Sequence, residues 1–445
     1  MGFLEKQFKL KENGTTAKIE VSAGITTFMT MAYILIVNPS ILSATGMDPN
    51  ALLTATALAA ALGTFCMAFF SNYPFALAPG MGLNAYFAFT VVLQYGYSWQ
   101  TALTAVLIEG IIFILLSAAN IREAIFNSIP KTLKNATGVA IGLYIAFIGM
   151  QNAGVIVDNG STLVGLGDVK SVPVALALIG TIITVVLVIK KIKGALLWGI
   201  LITYALGIIC QFTGIYVVDP EAGAYSLLPG GVVAMPPSLS PIFFKFDFSN
   251  IFSLEFVTVV FSFLFVDLFD TLGTLIGVST KAGYLDKDGK LPRIKGALMA
   301  DAVATTAGAI LGTSTTTTFV ESASGVAEGG RTGLTSAVTA VLFLLALFFS
   351  PIITAIPSFA TTPALITVGL FMIEAVTKID FSDYTEGFPA FITIIMMVVA
   401  YSISEGLVFG VISYVLLKAL SGRAKELNPV IVVIAILFFI KLIAA

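Results

Sequence analysis

TSTTTTFVESASGV, running from Thr313 to Val326, sets four consecutive threonines and a glutamate, Glu321, inside a chain that is 58% hydrophobic. The β-branched threonines favour extended backbone, and the residues beyond them predict a helix starting near Phe319. Extended backbone in hydrocarbon leaves N–H and C=O groups unpaired, so it survives only where protein or a water-filled cavity satisfies them. The stretch therefore reads as a membrane span broken near its middle. Helix packing through small residues would also use threonine and glycine. Four threonines in a row beside an acid exceed what close packing requires.

The rest of the chain establishes the membrane. Of 445 residues, 11% are charged and 35 are Phe, whereas a soluble protein carries about 25% charged residues. Mean hydropathy is +1.00. Apolar runs long enough to cross a bilayer recur at 20–38, 51–71, 75–95, 100–118, 132–151, 172–190, 194–213, 251–279, 294–312, 313–330, 332–350, 361–378, 388–402 and 404–420. They predict an all-α polytopic membrane protein of about 14 transmembrane spans, followed by an apolar C-terminal tail at 429–445 that either spans or lies at the interface.

Orientation follows from Lys and Arg in short loops. Lys6, Lys9, Lys11 and Lys18 precede the first span; Arg122, Lys131 and Lys134 follow the fourth. Lys190, Lys191 and Lys193 separate the sixth and seventh, Lys281, Lys287, Lys290, Arg293 and Lys295 follow the eighth, Arg331 follows the tenth, and Lys418, Arg423 and Lys425 follow the fourteenth. The intervening loops are nearly free of both residues, which predicts a cell (inner) membrane protein with both termini cytoplasmic. The basic N-terminus has no apolar core or cleavage site and does not read as a signal peptide.

Two segments repeat. SIPKTLKNATGVAIGL (Ser128 to Leu143) and AIPSFATTPALITVGL (Ala355 to Leu370) share an Ile-Pro and a Gly-Leu at one spacing, and Pro173, Gly194 and Tyr204 recur in order as Pro389, Gly406 and Tyr414. The common order predicts seven-span halves at 1–215 and 248–428, joined by an extracytoplasmic connection at 216–247. Seven is odd, so the second half would be inverted, a secondary-transporter design with binding near the midplane.

Such folds carry one interrupted span per half. The partner of the threonine stretch is NYPFALAPGMGLNAYFAFTVV, Asn72 to Val92, where Pro74, Pro79, Gly80 and Gly82 crowd before Asn84. These residues disfavour a continuous helix, and a helix is expected just after Gly82. Two half-helices starting near the midplane would aim unpaired N–H groups at one point.

Acids inside spans need a reason, because each costs roughly 2.5–3.5 kcal/mol near a helix centre. Four stand out: Asp267, Asp270, Asp301 and Glu321. Asp267 and Asp270 lie three apart on one helix face, in a span without Lys or Arg. Two acids on one dry face let at least one hold a proton, the chemistry of a proton-coupled carrier. Asp267 is the ligand candidate. Asp270 divides between site support and bonding the broken backbone, Glu321 between ligand and helix cap, and Asp301 between structure and a proton route; Asp267 or Glu321 is the acid expected to take the coupling proton. Glu109 and Glu374 are set aside as nearer span ends.

Together AGITTFMTMAYILIVNP (Ala23 to Pro39), APGMGLNAYFAF (Ala78 to Phe89), LFVDLFDTLGTL (Leu264 to Leu275) and TSTTTTFVESASGV resemble the AzgA-like adenine/guanine/hypoxanthine permeases of the nucleobase–cation symporter and ascorbate transporter group. The resemblance covers essentially the whole chain. It implies two inverted seven-span repeats, short antiparallel strands in spans 3 and 10, a core domain of spans 1–4 and 8–11, and a gate domain of spans 5–7 and 12–14. It also implies proton-coupled uptake of purine bases by alternating access. On the matching motifs, Asp267 and Glu321 would be the substrate carboxylates and Asp270 their support. Gly82 and Asn84 would line the site from span 3, Phe319 from the strand before Glu321, and Thr27 from span 1. The fold group includes dimers, so a homodimer is expected.

Other readings stay open. The same fold could carry uracil, ascorbate or bicarbonate, although an excess of acids without a facing Arg or Lys disfavours a small anion. Paired acids could line a cation channel. An enzyme is disfavoured: there is no histidine, and Cys66 and Cys210 sit inside apolar runs, which also argues against a metal, haem or disulfide. No cofactor beyond protons as the coupling ion is expected, and a formal net charge of -2 suggests no nucleic-acid partner.

Overall fold

The computed structural model describes residues 3–119, 130–218, 225–249, 251–284 and 291–444. Arg122, Lys287 and Lys290, Ser128 and Ile129 of the first repeat segment, and 219–224 of the connection lie outside the described residues. A short helix α1 (Phe3–Phe8) precedes α2 (Ala17–Met31) and α3 (Ile34–Leu42), which form one bent span. Then come α4 (Pro49–Phe70), strand β1 (Leu77–Pro79), α5 (Met81–Ala85) continuing as a π-helix over Tyr86–Gln94, and α6 (Trp99–Ala118). Next are α7 (Lys131–Asn152), a hairpin of β2 (Ile156–Asn159) and β3 (Leu163–Leu166), α8 (Val172–Ile189) and α9 (Ala195–Phe212). The remainder contains α10 (Leu254–Ala282), α11 (Ile294–Leu311), β4 (Thr316–Thr318), α12 (Ser322–Ala327), α13 (Gly333–Ala346), α14 (Ser350–Thr354), α15 (Ser358–Ile373), α16 (Tyr384–Val399), α17 (Ile403–Leu420) and α18 (Pro429–Ala444). Among the described residues, 10 helices are long and apolar enough to cross a membrane. The chain is a mostly helical, multi-pass membrane protein.

Span starts are written locally. Thr16, Asp48, Ser98 and Ser402 each accept from a backbone N–H in the first turn of the helix they precede, and Pro49 occupies the first turn of α4. The C-terminal tail is a helix: α18 sets Phe438 edge-on to Phe261 and Phe265 of α10, with centroids 5.6 and 5.8 Å apart. The β2–β3 hairpin was not expected from the sequence.

The two broken segments meet. β1 and β4 pair antiparallel, Leu77 with Thr318, Ala78 with Thr317 and Pro79 with Thr316. The ladder extends at both ends, through Gly80 N–H to Thr315 C=O and Phe319 N–H to Ala76 C=O, each 3.0 Å. A two-stranded ribbon still has open edges, and hydroxyls from neighbouring helices close them. Thr64 of α4 donates to Leu77 C=O at 3.1 Å and accepts from Leu77 N–H at 2.9 Å. Ser322 accepts from Ala76 N–H at 2.9 Å, and Thr305 of α11 donates to Thr316 C=O at 3.0 Å. Helices restart at Met81 and Ser322, two residues earlier and three residues later than expected.

Around the ribbon, α11 lies against α4 and α6, and α13 against α4 and α2. Elsewhere α7 packs on α15 and α16, α8 on α9 and α15, and α16 on α17. Gly142 of α7 and Gly369 of α15, the glycines of the two repeated Gly-Leu pairs, touch directly. A Cβ on Gly142 would come within 3.0 Å of Gly369 C=O. Gly180 packs on Thr203, Gly199 on Thr184 and Gly410 on Thr393. At the end of α17, buried Lys418 bonds Glu386 and Glu426 at 2.8 Å each, while Arg423 reaches Asp383 and Glu426 at 2.6 Å.

Two outcomes follow from these bonds. Thr64→Val strips both Leu77 backbone groups of their partner, at roughly 1–3 kcal/mol for each buried group. Thermal unfolding in detergent should show a lowered midpoint for Thr64→Val and near wild-type behaviour for Thr64→Ser. In the Arg423 corner, the guanidinium holds the Glu426 carboxyl down to about 2, from an ordinary 4.5. A carboxyl depressed by folding stabilises above its unfolded value and loses that contribution as pH falls through the folded one. Glu426→Gln should therefore flatten the acid dependence of stability between pH 4.5 and about 2; an unchanged profile would refute the assignment.

Candidate functional site

The acids gather on the ribbon. Asp267 and Thr271 stand one turn apart on α10, and both are fully buried. The Thr271 hydroxyl lies 2.8 Å from Asp267 Oδ1, 2.7 Å from Asp301 Oδ1 of α11 and 2.6 Å from Thr317 Oγ1 of β4. A hydroxyl donates one hydrogen. A proton on either acid would let both carboxyl oxygens bond this one hydroxyl, one accepting from it and the other donating to it. Asp301, expected to be structural or part of a proton route, lands in this cluster.

Asp270 is partly buried beside the entry to α5, where Gly80 passes so close that a Cβ would sit 3.2 Å from Asp270 Oδ2 and 2.6 Å from Thr317 Cγ2. Glycine is required there by approach. Glu321 precedes α12 but makes no side-chain cap bond; its Oε1 instead accepts from the Tyr33 hydroxyl at 2.8 Å. Tyr33 stands at the break between α2 and α3, fully buried. The carboxylate is thus aimed across at the first span.

The remaining expected residues pack around these acids. Asn84 is buried, accepts from the Ser314 hydroxyl and reaches Pro79 C=O at 3.5 Å, so it ties the two broken segments together. Gly82 meets α7, where a Cβ would lie 2.8 Å from Ile141 Cγ2. Phe319 is buried at the ribbon's end. The Thr27 hydroxyl donates to Ala23 C=O at 3.1 Å and lies against Gly325 of α12.

Sequence reasoning missed three residues. Tyr33 reads as one more aromatic in an apolar run. Asn38 donates to Thr56 at 2.7 Å and Thr313 at 3.0 Å; a lone amide in an apolar stretch was its signal. Glu109 is fully buried and accepts from Thr315 at 2.6 Å. It occupies the middle of α6 rather than a span end, as counting along 100–118 would have shown. A separate recess between α6, α10 and α18, lined by Phe113, Phe265, Val433 and other apolar side chains, offers nothing to a polar ligand. The acid site offers acceptors and hydroxyls, and so suits a small ligand rich in N–H donors.

The fold has a solved counterpart. The transmembrane domain of a cyanobacterial bicarbonate transporter, BicA, superposes with a TM-score of 0.65 at 15% identity, covering 88% of this chain and 97% of that one. That likeness defines the fold class: a polytopic, mostly helical membrane fold. The permease-family profile matches residues 18–440, and the chain belongs to this family, the xanthine/uracil permeases. Similar relatives include the adenine permease AdeQ of Escherichia coli, 43% identical over 99% of this chain and 96% of that one. The guanine/hypoxanthine permease PbuO of Bacillus subtilis is 44% identical over 98% of this chain and 99% of that one. The chain is a transporter, not an enzyme.

A hydrogen bond to a charged group contributes roughly 1.5–3 kcal/mol. Tyr33→Phe should therefore lower transport by about tenfold or more while the variant stays folded. Wild-type transport by Tyr33→Phe would remove Tyr33 from the site.

Proposed function

We propose that this chain is a proton-coupled purine-base symporter of the cell (inner) membrane, with both termini cytoplasmic. It would have fourteen spans in two inverted repeats, a core around the ribbon and a gate built from α7–α9 and α15–α17. The observation that carries the coupling is the Thr271 hydroxyl shared by Asp267 and Asp301, a geometry that a proton on either acid completes. The similarity to an adenine permease and a guanine/hypoxanthine permease supports the substrate class. The Gly142–Gly369 contact and the matching glycine–threonine packing of α8–α9 and α16–α17 support the repeats and the gate. A homodimer, which the fold group implies, belongs to the same proposal.

The chemistry runs as follows. A purine presents ring N–H donors and acceptor nitrogens on a flat apolar disc. Asp267 and Glu321 accept from its N–H groups, Phe319 covers a face, and Gly82 and Asn84 line the site from the start of α5, with Thr27 contributing from α2. Asp270 supports the site beside Gly80. Protonation within the Asp267–Asp301 pair favours loading, and proton loss toward the cytoplasm favours release. Binding a base and a proton together lets the gradient drive accumulation.

Proteoliposomes under an imposed pH gradient test this reading. Labelled adenine or hypoxanthine should accumulate with the gradient inward and stop accumulating when it is collapsed. Unlabelled purines should compete, whereas uracil, ascorbate and bicarbonate should not. Uptake indifferent to the gradient would sink the coupling, and competition by bicarbonate alone would sink the substrate class.

A further inference from the structure

Glu109 is a buried acid that the site above does not use. Acids at mid-membrane are rare and mark functional positions by default. The Thr315 hydroxyl donates to its Oε2 at 2.6 Å, and Thr315 C=O accepts from Gly80 N–H at 3.0 Å, at the entry to α5. Side chains alternate along extended backbone, so Thr315 and Thr317 point to one side of the ribbon. One reaches Glu109, the other the Thr271 hydroxyl with Asp267 and Asp301. α6 packs on α11 and α10. α11 carries Asp301, α10 carries Glu255, Asp267 and Asp270, and Asp247 accepts from Thr101 of α6 at 3.1 Å. Lys295 stands in the first turn of α11, Tyr86 lies on the adjoining π-helix, and α6 itself carries no other titratable side chain.

We infer that Glu109 is a second proton-holding acid of the transport cycle, linked to the substrate side of the ribbon through Thr315. This rests on the proton coupling proposed above. Ionised, Glu109 accepts the Thr315 hydrogen. On taking one proton at Oε2 it becomes neutral and turns donor; Thr315 then accepts at Oγ1 and swings its own hydrogen to another acceptor. No other bond changes, and loss of the proton restores the first arrangement. Thr315 also holds Gly80, so the switch is felt where α5 begins, next to Asp270. A purely structural acid would hold the ribbon equally well in either protonation state and would leave energetic coupling untouched.

The test separates coupling from transport. Wild type and Glu109→Gln are reconstituted, checked by thermal unfolding, and assayed for gradient-driven purine accumulation and for counterflow without a gradient. Glutamine keeps an oxygen for Thr315 but cannot hold the proton. One coupled proton multiplies accumulation about tenfold per unit of pH gradient, so E109Q should lose about that factor under a one-unit gradient, with counterflow unchanged. Wild-type accumulation by E109Q overturns the inference, as does parallel loss of accumulation and counterflow in the folded variant. Should E109Q not fold, Thr315→Val carries the same comparison. Loss of accumulation alone supports the link; no loss, or loss of both activities, refutes it. Wild-type accumulation blind to the gradient strikes the coupling reading itself instead.

Discussion

An extended backbone inside a membrane must have its N–H and C=O groups paired, and much of this structure follows from meeting that requirement. The β1–β4 ladder satisfies one edge of each strand. The outer edges depend on side chains placed on three different helices: Thr64 on α4, Thr305 on α11 and Ser322 on α12. Each of these bonds fixes a helix against the ribbon as well as satisfying the backbone. Asp301 lies one turn from Thr305 on α11 and Asp267 one turn from Thr271 on α10, so the helix faces that hold the ribbon also deliver the acids. Scaffold and site share one set of contacts.

The helices away from the ribbon are held differently. Thr184, Thr203 and Thr393 donate to carbonyls of their own helices, Gly180, Gly199 and Pro389, at 2.8, 2.7 and 2.8 Å. Their methyl and oxygen surfaces then meet glycines of the neighbouring helix. Those contacts are close packing, beside which Thr362 of α15 donates to Gly149 C=O of α7 at 2.9 Å and Lys418 of α17 pairs with Glu386 of α16. Around the ribbon, hydroxyls of several elements bond the strand backbone itself. Gly82 touching Ile141 of α7 marks a seam between the two arrangements, and it too is a contact of small and apolar groups.

What the sequence disclosed and concealed follows the same division. Prolines, glycines and the threonine run announced the two broken spans, because backbone preference is local. The Asp267–Asp270 pair was visible for the same reason: an acid in an apolar run is conspicuous wherever it points. Pairings were not visible. Nothing near Tyr33 signals Glu321, 288 residues away, and nothing near Glu109 signals Thr315, 206 residues away. The C-terminal tail stayed undecided because composition alone does not separate a packed helix from an interfacial one. Phe438 shows that the tail packs on the rest of the chain, its ring buried against α10.

The partners given to the acids separate two classes of carboxylate in one chain. Glu426 and Asp383 sit beside Lys418 and Arg423, and hydrogen bonds from Arg423 hold both carboxyls below their ordinary values. Such acids are fastened and cannot take part in proton traffic. Asp267, Asp301, Glu109 and Glu321 have hydroxyls instead: Thr271, Thr315 and Tyr33. A hydroxyl both donates and accepts, so it remains bonded to a carboxyl in either protonation state. That removes the penalty of an orphaned polar group at each stage of a cycle. Threonine beside acid, the feature that first marks the sequence, is therefore a pairing that stays bonded whichever protonation state a buried carboxyl takes.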